Sequence, residues 1–395
     1  MLKDKTIILG VTGSIAAYKA ADVASLLVKN GAIVHVIMTK NATNIINPIA
    51  FETLTGNKCL VDTFDRNFQF NVAHVSLAKK ADCFVVAPAS ANFLAKAAHG
   101  IADDMLSTTF LAAACPKIVF PAMNTQMLLN PVTQANIETC RSFGIQVEES
   151  AEGRLACGDT GRGKLPPPSQ IFDSIFQKIA YKKDFLGKKI VVSAGPTREA
   201  IDPVRFISNR STGKMGYAIA KVASARGADV TLVSGPVALE VPPFVRFVGV
   251  ESARQMFDAI RSEAENADVV IKAAAVADFR PIEVASEKIK KSGENSKIDL
   301  ERTDDILAWL GEHKKNQFLC GFSMETQNLL ENSRKKLQKK NLDLIVANNL
   351  RTQGAGFGTE TNVVTLIGAD FEIELPILPK IQVASRILDE IAKKL

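Results

Sequence analysis

The chain has 395 residues, 47% of them apolar and 23% charged, and a formal net charge of +6. A chain of this length is too long for one hydrophobic core, so we expect two domains. The charge is modest and scattered, which argues against a nucleic-acid partner and favours small anionic ligands. No apolar run reaches the roughly 18 residues of a membrane helix, and the N-terminus lacks the pattern of a signal peptide.

Six cysteines are spread along the chain without a CxxC pair or a metal-ligand spacing. We therefore expect free thiols in a reducing, cytoplasmic compartment. The cysteines are Cys59, Cys83, Cys115, Cys140, Cys157 and Cys320.

Two stretches start an α/β unit with an apolar strand, a glycine turn and a helix. Residues 5–9 form the first strand and lead into Gly10-Val11-Thr12-Gly13-Ser14. Residues 190–192 form the second strand and lead, through Gly195-Pro196-Thr197, to a helix that begins near Thr212. Backbone N–H groups at such a helix start can bind an anion.

Strands and helices alternate after each of these starts. This alternation predicts an α/β protein with two doubly wound, Rossmann-like domains. The second start sets the boundary, which gives domains of residues 1–186 and 187–395.

The first start does not carry a dinucleotide-binding fingerprint, because it lacks the third glycine and no acidic residue ends the second strand, residues 33–38. That strand ends instead in Thr39, followed by Asn41 and Thr43. These polar groups suit a phosphate or a ring edge, although for Asn41 we favour simple capping of the next helix.

Two later strands of the first half end alike. Residues 83–87 run into Pro88-Ala89-Ser90-Ala91-Asn92, and residues 118–120 run into Pro121-Ala122-Met123-Asn124. Ligands bind at the carboxyl ends of strands in open α/β sheets, and small residues there let a flat ring approach the backbone. We therefore expect a ligand site at these two strand ends.

Residues 151–168 contain four glycines and three prolines. We expect neither helix nor strand there but a long loop, which in a compact chain is usually a lid or is disordered. Cys157 lies in this segment between Arg154 and Arg162, where exposure and guanidinium groups favour thiolate character and proton transfer. His74, by contrast, is a lone histidine before a predicted helix and indicates little by itself.

The second half repeats the pattern, and its strand at residues 269–271 runs into small residues that reach Asp278. Neither a P-loop nor a dinucleotide fingerprint fits this half. The charge run at residues 287–291 is either a solvated surface or an arm that reaches phosphates. The lysines at positions 336, 339 and 340 fit either helix-dipole stabilisation or phosphate binding. Two strand-forming runs, at residues 363–367 and 371–375, predict a hairpin at the sheet edge.

The ordered motifs of the first half resemble those of flavin-dependent cysteine decarboxylases. They are G-S-I-A-A-Y-K, His74, P-A-S-A-N, P-A-M-N and A-C-G-D-x-G-x-G. The second half carries G-P-T-x-E-x-I-D-P-V-R and I-S-N-x-S-T-G-K-M-G, which resemble the ligase fused to these decarboxylases. Over essentially its whole length the chain is similar to the bifunctional phosphopantothenoylcysteine decarboxylase/phosphopantothenate–cysteine ligase family.

The resemblance implies a flavodoxin-like flavoprotein domain followed by a nucleotide-binding ligase domain. It implies CTP-dependent ligation of cysteine to 4′-phosphopantothenate through an acyl-cytidylate, with Mg²⁺, and then FMN-dependent oxidative decarboxylation to 4′-phosphopantetheine. It also implies a homo-oligomer with trimeric decarboxylase and dimeric ligase contacts, together a dodecamer.

The resemblance also assigns roles to residues. For the decarboxylase it implies His74 as base, Asn124 as the holder of the substrate carboxylate and Cys157 as proton donor. FMN would be held by Gly13, Ser14, Thr39, Ser90, Ser107 and Thr108.

For the ligase the resemblance implies that Asn209 stabilises the acyl-cytidylate and Arg205 engages the pantothenate side. CTP would be bound by Lys272, Ala273, Ala274, Ala275, Asp278, Lys288, Asp304, Asp305, Ile306, Leu307, Phe322, Lys336 and Lys340. The segment around Asp304 departs from the N-P-D-I pattern expected there, which leaves its loop shape open. The Mg²⁺ ligands are unassigned, and nothing links Asp202 to a metal.

Two alternatives belong to other functional classes. Relatives of the first domain act as flavin-binding regulatory subunits, and such a protein can lose His74 or the lid cysteine, both of which are present here. A nicotinamide-dependent oxidoreductase is disfavoured because the glycine fingerprints are missing.

Overall fold

The structure is a computed structural model that describes residues 1–64, 73–156, 158–290, 297–325, 328–349, 356 and 358–395. Internal contacts divide the chain into two units, Met1–Tyr181 and Lys182–Leu395. Within the described ranges, no helix combines the length and the apolar character needed to cross a bilayer.

The Met1–Tyr181 unit is built on a five-stranded parallel sheet. Its strands are β1 (Thr6–Val11), β2 (Ile33–Met38), β3 (Cys83–Ala89), β4 (Lys117–Pro121) and β5 (Gln146–Val147). Their spatial order is β2-β1-β3-β4-β5, the flavodoxin-like order of a doubly wound sheet. Strand β3 is buried along its whole length and β1 nearly so, as expected where helices cover both faces of a parallel sheet.

Helices connect these strands. They are α1 (Ala20–Lys29), α2 (Lys40–Thr43), α3 (Pro48–Thr55), α4 (Ala73–Lys80), α5 (Ala91–His99), α6 (Met105–Ala112), α7 (Thr125–Leu129), α8 (Pro131–Ser142) and α9 (Pro168–Ile179). A 3₁₀ turn, Ile15–Lys19, precedes α1. The capping role expected for Asn41 is wrong, because Asn41 lies inside α2 and Thr39 occupies the N-cap.

The lid segment forms a hairpin, so the expectation of a loop without strands was wrong. Strands β6 (Ala151–Arg154) and β7 (Thr160–Lys164) pair antiparallel. Glycine disfavours strands on average, but it also adopts backbone angles that other residues rarely reach. Gly153 and Gly163 have φ of 149° and 126°, so glycine allows this ribbon to follow an unusual path.

The Lys182–Leu395 unit contains an eight-stranded sheet and short two-stranded ribbons. Its strands are β8 (Lys189–Ala194), β9 (Arg198–Ala200), β10 (Phe206–Ser208), β11 (Asp229–Ser234), β12 (Arg246–Gly249), β13 (Val269–Lys272), β14 (Phe279–Pro281), β15 (Leu300–Arg302), β16 (Phe318–Glu325), β17 (Leu344–Asn349), β18 (Thr361–Asn362), β19 (Val364–Gly368), β20 (Glu372–Glu374) and β21 (Leu378–Pro379).

The large sheet has the order β12-β11-β8-β13-β16-β17-β19-β20. Its first six strands are parallel and follow the 3-2-1-4-5-6 order of dinucleotide-binding folds. Strands β19 and β20 are antiparallel at the edge, which confirms the predicted hairpin. Both units therefore confirm the predicted doubly wound α/β architecture.

Five helices accompany this sheet in the described residues. They are α10 (Lys214–Ala225), α11 (Ala253–Ala264), α12 (Ile306–Glu312), α13 (Leu329–Lys339) and α14 (Lys380–Ala392). Helix α11 starts with a capping box between Ser252 and Gln255, as its sequence indicates. Apolar residues of α11, α12 and α13 form a core with the sheet, for example Ile260, Leu310 and Ile345.

The residues just before β8 are tied to this unit by one buried guanidinium. Arg226, at the end of α10, donates to Asp184 at 2.5 Å and to Asp389 of α14 at 2.8 Å. Its guanidinium also lies 4.8 Å from the centre of the Phe185 ring. Arg226 therefore joins the start of the unit to two of its helices.

We expect Arg226→Met to destabilise the Lys182–Leu395 unit by about 2 kcal/mol. This loss is smaller than that for a fully buried ion pair, because the Asp184 and Asp389 side chains are each 40% exposed. For a unit of this size the melting temperature falls by roughly 4–8 °C, measured by scanning calorimetry. Arg386→Met is the matched control, because that side chain is 65% exposed and lies 3.9 Å from Asp389. Equal melting temperatures for the two variants would contradict the proposed anchoring.

Candidate functional site

A cavity of about 550 Å³ lies at the carboxyl ends of β1, β3 and β4. Four residues to which the resemblance assigns a role line it, namely Gly13, Ser14, Ser90 and Asn124. Its volume is in the range of small-molecule and cofactor sites. The three strand ends therefore meet in one site, as the parallel sheet predicts.

The Thr12 hydroxyl connects two of these strand ends. Thr12 is buried, and its Oγ1 donates to the Pro88 carbonyl at 2.8 Å while it accepts from the Ser90 N–H at 2.9 Å. The Ser90 hydroxyl in turn caps α5 by accepting from the Phe93 N–H. The β1 turn and the β3 turn are thus held at fixed spacing.

The turn after β1 also fits tightly against the segment after β2. A Cβ added at Gly13 would lie 2.5 Å from the Cβ of Asn41, so only glycine fits there. The nearby Thr39 Oγ1 is buried, and no described residue forms a hydrogen bond with it. A buried hydroxyl without a partner is costly, which indicates a ligand group at this position.

Ser107 and Thr108 lie on α6 and are not among the lining residues of the cavity. The Ser107 hydroxyl takes part in a capping box with Asp104. The Thr108 hydroxyl donates to the Ala102 carbonyl at 3.2 Å. The structure therefore gives these two hydroxyls local partners, and their assignment to FMN stays a prediction.

The β6–β7 hairpin is fixed above Asn124. The Met123 N–H donates to the Gly163 carbonyl at 3.0 Å, and the Thr125 hydroxyl donates to the Arg162 carbonyl at 2.7 Å. A Cβ at Gly163 would overlap the Met123 carbonyl oxygen, so glycine is required for this approach. The Asn124 Oδ1 accepts from the Gln126 N–H at 2.8 Å, which orients its amide.

Two predicted catalytic groups lie beyond the side chains that the structure describes. His74 is on α4, but its side chain lies outside the described part, and Cys157 lies wholly outside it. Residues 154–156, which precede Cys157, line the cavity. Burial raises the pKa of the Cys59 thiol to about 12 and that of Cys140 to about 11, so these thiols are poor proton donors at neutral pH.

Three cations that line the same cavity have no ligand-binding role predicted from the sequence. They are Lys19, Arg154 and Lys164. Lys19 belongs to the G-S-I-A-A-Y-K motif, and the other two lie on the hairpin. The motif was an available signal for Lys19, but the hairpin had been interpreted as a loop.

A second cavity, of about 130 Å³, lies at the carboxyl ends of β13, β16 and β17. Ala273, Ala274, Ala275 and Phe322 line it, as the sequence analysis expects for a nucleotide site. The first turn of α10 also lines it, and no side chain caps that helix. The uncapped N–H groups of α10 are suited to an anion.

Several polar residues of this second cavity were missed from the sequence. Lys214, Asn348 and Lys380 line it. Asn348 is only 5% exposed, and its Oδ1 has no hydrogen-bond partner among the described residues. An asparagine at the end of an apolar parallel strand was the available signal.

Charged residues beside this cavity form a cluster of opposite signs. Lys340 forms an ion pair with Asp305, and Lys336 donates to the Phe322 carbonyl at 3.2 Å. The pKa of Lys272 is lowered to about 8, mainly by burial and next by the Lys336 ammonium, with a smaller contribution from Lys340. The Asp305 and Asp278 carboxylates act in the opposite direction and raise this pKa. The structure therefore brings together residues that are distant in the sequence.

The segment around α12 has mixed roles. Asp305 caps α12 by accepting from the Ala308 N–H at 2.9 Å. Burial raises the pKa of Asp305, but the hydrogen bond from Lys340 outweighs burial, and the net effect is a lowered pKa. Ile306 and Leu307 are buried in the core, and Asp304 accepts from Arg254 at 3.3 Å. Side chains of this segment therefore serve the fold, which leaves its backbone for ligand contact.

Asn209 lies against the small-residue segment, because its Nδ2 donates to the Ala275 carbonyl at 3.0 Å. Arg205 donates to Asp202 at 2.5 Å and to the Ile289 carbonyl at 2.7 Å. Burial raises the pKa of Asp202, but hydrogen bonds from Arg205 and three backbone N–H groups outweigh this and lower it well below its usual range. Asp202 is thus used to hold the segment that carries the exposed Lys288.

Among the described residues, no group of three or more His, Cys, Asp or Glu side chains is arranged to hold a metal ion.

Comparison with known proteins covers both units. Residues 1–180 match the model of the family described as Flavoprotein, and residues 185–395 match that of the DNA/pantothenate metabolism flavoprotein C-terminal domain. The chain is 47% identical over 396 residues to the coenzyme A biosynthesis bifunctional protein CoaBC of Bacillus subtilis (strain 168), covering 99% of this chain and 98% of that protein. The CoaBC protein of Escherichia coli (strain K12) is 40% identical over 397 residues, covering 100% and 98%.

Solved structures resemble each half. The C-terminal domain of a CoaBC protein is 48% identical, covers 54% of this chain and 98% of that chain, and has a TM-score of 0.47. The FMN-dependent cysteine decarboxylase SpaF is 35% identical, covers 42% and 92%, and has a TM-score of 0.37.

The two family models together span nearly the whole chain, and full-length relatives match it from end to end. The chain therefore belongs to the family of bifunctional coenzyme A biosynthesis proteins, with a flavin-binding unit followed by a pantothenate-metabolism unit.

Proposed function

We propose that this chain catalyses two consecutive steps of coenzyme A biosynthesis. The Lys182–Leu395 unit joins cysteine to 4′-phosphopantothenate with CTP and Mg²⁺. The Met1–Tyr181 unit then converts phosphopantothenoylcysteine to 4′-phosphopantetheine with FMN. The main support is that two separate sheets of one chain each gather predicted residues at their carboxyl ends.

Residues of the first cavity, together with Thr39 in the adjoining segment after β2, fit a flavin mononucleotide. The buried Thr39 hydroxyl lacks a partner among the described residues, and Gly13 leaves no space for a side chain beside Asn41. FMN would be held by Gly13, Ser14, Thr39, Ser90, Ser107 and Thr108. When bound, it supplies the oxidation of the substrate carbon that bears sulfur and the later reduction of the decarboxylated product.

Three side chains act on the decarboxylase substrate. His74 takes a proton from the substrate thiol. The Asn124 amide, oriented by the Gln126 N–H, binds the carboxylate that leaves as CO₂. Cys157 donates a proton to the carbon from which CO₂ was lost. In support, hydrogen bonds hold β7, which follows Cys157 in the chain, against Met123 and Thr125 on either side of Asn124.

The ligase unit activates a carboxylate before cysteine attacks. The carboxylate oxygen attacks the α-phosphorus of CTP and releases pyrophosphate, which leaves an acyl-cytidylate. The cysteine amine then attacks the acyl carbon and releases CMP. The charge of the triphosphate is offset by the N-terminus of α10 and by four lysines, Lys272, Lys288, Lys336 and Lys340. Asn209, held at Ala275, stabilises the acyl-cytidylate, and Arg205 engages the pantothenate side.

Mg²⁺ is expected to arrive with the nucleotide. In phosphoryl-transfer sites one or two carboxylates and the substrate phosphates hold this ion, so no complete protein site is needed. We further propose a domain boundary at residues 186 and 187, a cytoplasmic location and a homo-oligomer built from trimeric decarboxylase and dimeric ligase contacts.

Mass spectrometry of products from 4′-phosphopantothenate, cysteine, CTP and Mg²⁺ tests the function. The wild-type chain with FMN should form 4′-phosphopantetheine. Cys157→Ser should instead accumulate an oxidised, decarboxylated product, because the final proton is missing. Normal product from Cys157→Ser at the wild-type rate would overturn the donor assignment. Intact substrate and CTP with the wild-type chain would overturn the bifunctional assignment.

Asn209→Ala should lower ligation at least 100-fold, because the acyl-cytidylate loses a stabilising amide. Decarboxylation of supplied phosphopantothenoylcysteine should stay at the wild-type rate. Both activities are measured by product quantification on the same preparation. The control is Asn316→Ala, at an exposed asparagine remote from the nucleotide cavity, which should alter neither activity. Loss of both activities in Asn209→Ala would point to misfolding instead.

The affinity for CTP should fall by up to about tenfold between pH 7 and pH 9, measured by calorimetric titration. Lys272 has a pKa of about 8 in the free protein, so it is mostly protonated at pH 7 and mostly neutral at pH 9. A bound triphosphate favours the protonated form, and binding therefore weakens as the proton is lost. Lys272→Met should bind CTP more weakly at pH 7 and show a smaller pH dependence. The same pH dependence in both proteins would contradict the role of Lys272.

A further inference from the structure

A third cavity, of about 540 Å³, lies in the Lys182–Leu395 unit at the carboxyl ends of β11 and β12. Arg198, Tyr217 and Glu251 line it, together with apolar residues such as Leu239 and Phe247. Among the described residues, this cavity and the nucleotide cavity have no lining residue in common. The third cavity is therefore a separate site, and none of its lining residues has a role in the function proposed above.

The Tyr217 hydroxyl is a polar group that the fold leaves without a partner. Tyr217 lies on α10 and is only 6% exposed, and its hydroxyl forms no hydrogen bond with any described residue. The phenol of a buried tyrosine usually finds a hydrogen-bond partner, because an unpaired polar group destabilises the fold. Since Tyr217 lines the third cavity, its hydroxyl is available to a ligand there.

Arg198 and Glu251 are neighbours whose opposite charges stay apart. The Arg198 N–H donates to the Glu251 carbonyl at 2.8 Å. Among the described residues, however, neither side chain forms an ion pair or a hydrogen bond. The Arg198 guanidinium lies 4.6 Å from the centre of the Phe206 ring, a contact that uses none of its N–H groups. The cavity therefore offers a cation and a carboxylate separately, as a zwitterion requires.

The segment that carries Arg198 is joined to the position proposed for the acyl group. Thr197, the residue before Arg198, donates its N–H to the Ala275 carbonyl at 3.3 Å. The Asn209 Nδ2 donates to the same carbonyl at 3.0 Å. Arg198 also pairs with Ser208, the residue before Asn209. A ligand held by Arg198 therefore lies beside the backbone that positions Asn209.

We propose that the third cavity binds the cysteine that the ligase unit consumes, with the Arg198 guanidinium on its carboxylate. This inference rests on the proposed function, because it assigns the one substrate for which no residue had a role. A guanidinium binds a carboxylate through two parallel hydrogen bonds, and the Tyr217 hydroxyl donates a third. Glu251 attracts the ammonium group, which loses its proton to solvent before the amine attacks the acyl carbon and releases CMP. Cysteine fills only the part of the cavity beside these groups.

The test compares cysteine with cysteamine, which lacks the carboxylate, as acceptors for the full-length chain with phosphopantothenate, CTP and Mg²⁺. CMP release gives kcat/KM for each acceptor, and the wild-type chain should prefer cysteine. Arg198→Met should lower this preference by about 10- to 100-fold, as expected for lost hydrogen bonds to a charged group. Tyr217→Phe, which keeps the ring, should lower it by about tenfold. Arg261→Met, at a 53% exposed arginine on α11, is the matched control and should keep the wild-type preference.

Exchange of labelled pyrophosphate into CTP separates cysteine binding from the first half of the reaction. This exchange requires phosphopantothenate but no cysteine, so it reports formation of the acyl-cytidylate alone. Wild-type exchange together with a lower preference for cysteine supports the inference. If Arg198→Met loses exchange because it misfolds, Tyr217→Phe decides.

Three results would overturn the inference while leaving the ligase assignment intact. They are loss of exchange in Tyr217→Phe, an equal loss of activity with both acceptors, and a wild-type chain that does not prefer cysteine. A wild-type preference retained by both Arg198→Met and Tyr217→Phe would also overturn it. A wild-type chain that neither exchanges pyrophosphate nor releases CMP would instead overturn the proposed function.

Discussion

Parallel pairing of buried strands is the constraint on which both sites depend. Strands β3 and β16 each pair on both sides with parallel neighbours, so the carboxyl ends of three strands meet at each site. Hydrogen bonds of Thr12 then fix the ends of β1 and β3 in the first unit. In the second unit, pairing of Pro196 with Ala275 joins the segments that follow β8 and β13. The sites are thus products of the sheets rather than of separate loops.

The sequence predicted the sheets well because each buried parallel strand is a nearly continuous apolar run bounded by small or polar residues. The hairpin at Ala151–Arg154 and Thr160–Lys164 was missed because its strands contain glycine and lack an apolar face. Site residues at strand ends, such as Ser90 and Asn124, could be found from their position. Lys164 could not, since only the folded hairpin brings it to the first cavity.

The two units treat their cations differently. In the Lys182–Leu395 unit, Lys340 forms an ion pair with Asp305, and Lys214 forms one with Glu360 at 2.5 Å, so an anion that binds either lysine has to replace a carboxylate. In the flavoprotein unit, Lys19 and Lys164 have no such partner among the described residues. A lysine that is paired with a carboxylate favours strongly charged anions, because a weakly charged anion competes poorly with its partner. A lysine without such a partner attracts anions of any strength and raises the rate at which they bind.

The bonds between the β6–β7 hairpin and the Met123–Thr125 segment have a consequence for the order of events. Asn124, which belongs to that segment, and strands β6 and β7 are therefore parts of one hydrogen-bonded assembly. Under the roles proposed for Asn124 and Cys157, the hairpin would connect the amide that binds the substrate carboxylate with the strands on either side of the proton donor. Displacement of the hairpin would then disturb carbon dioxide release and the final protonation together.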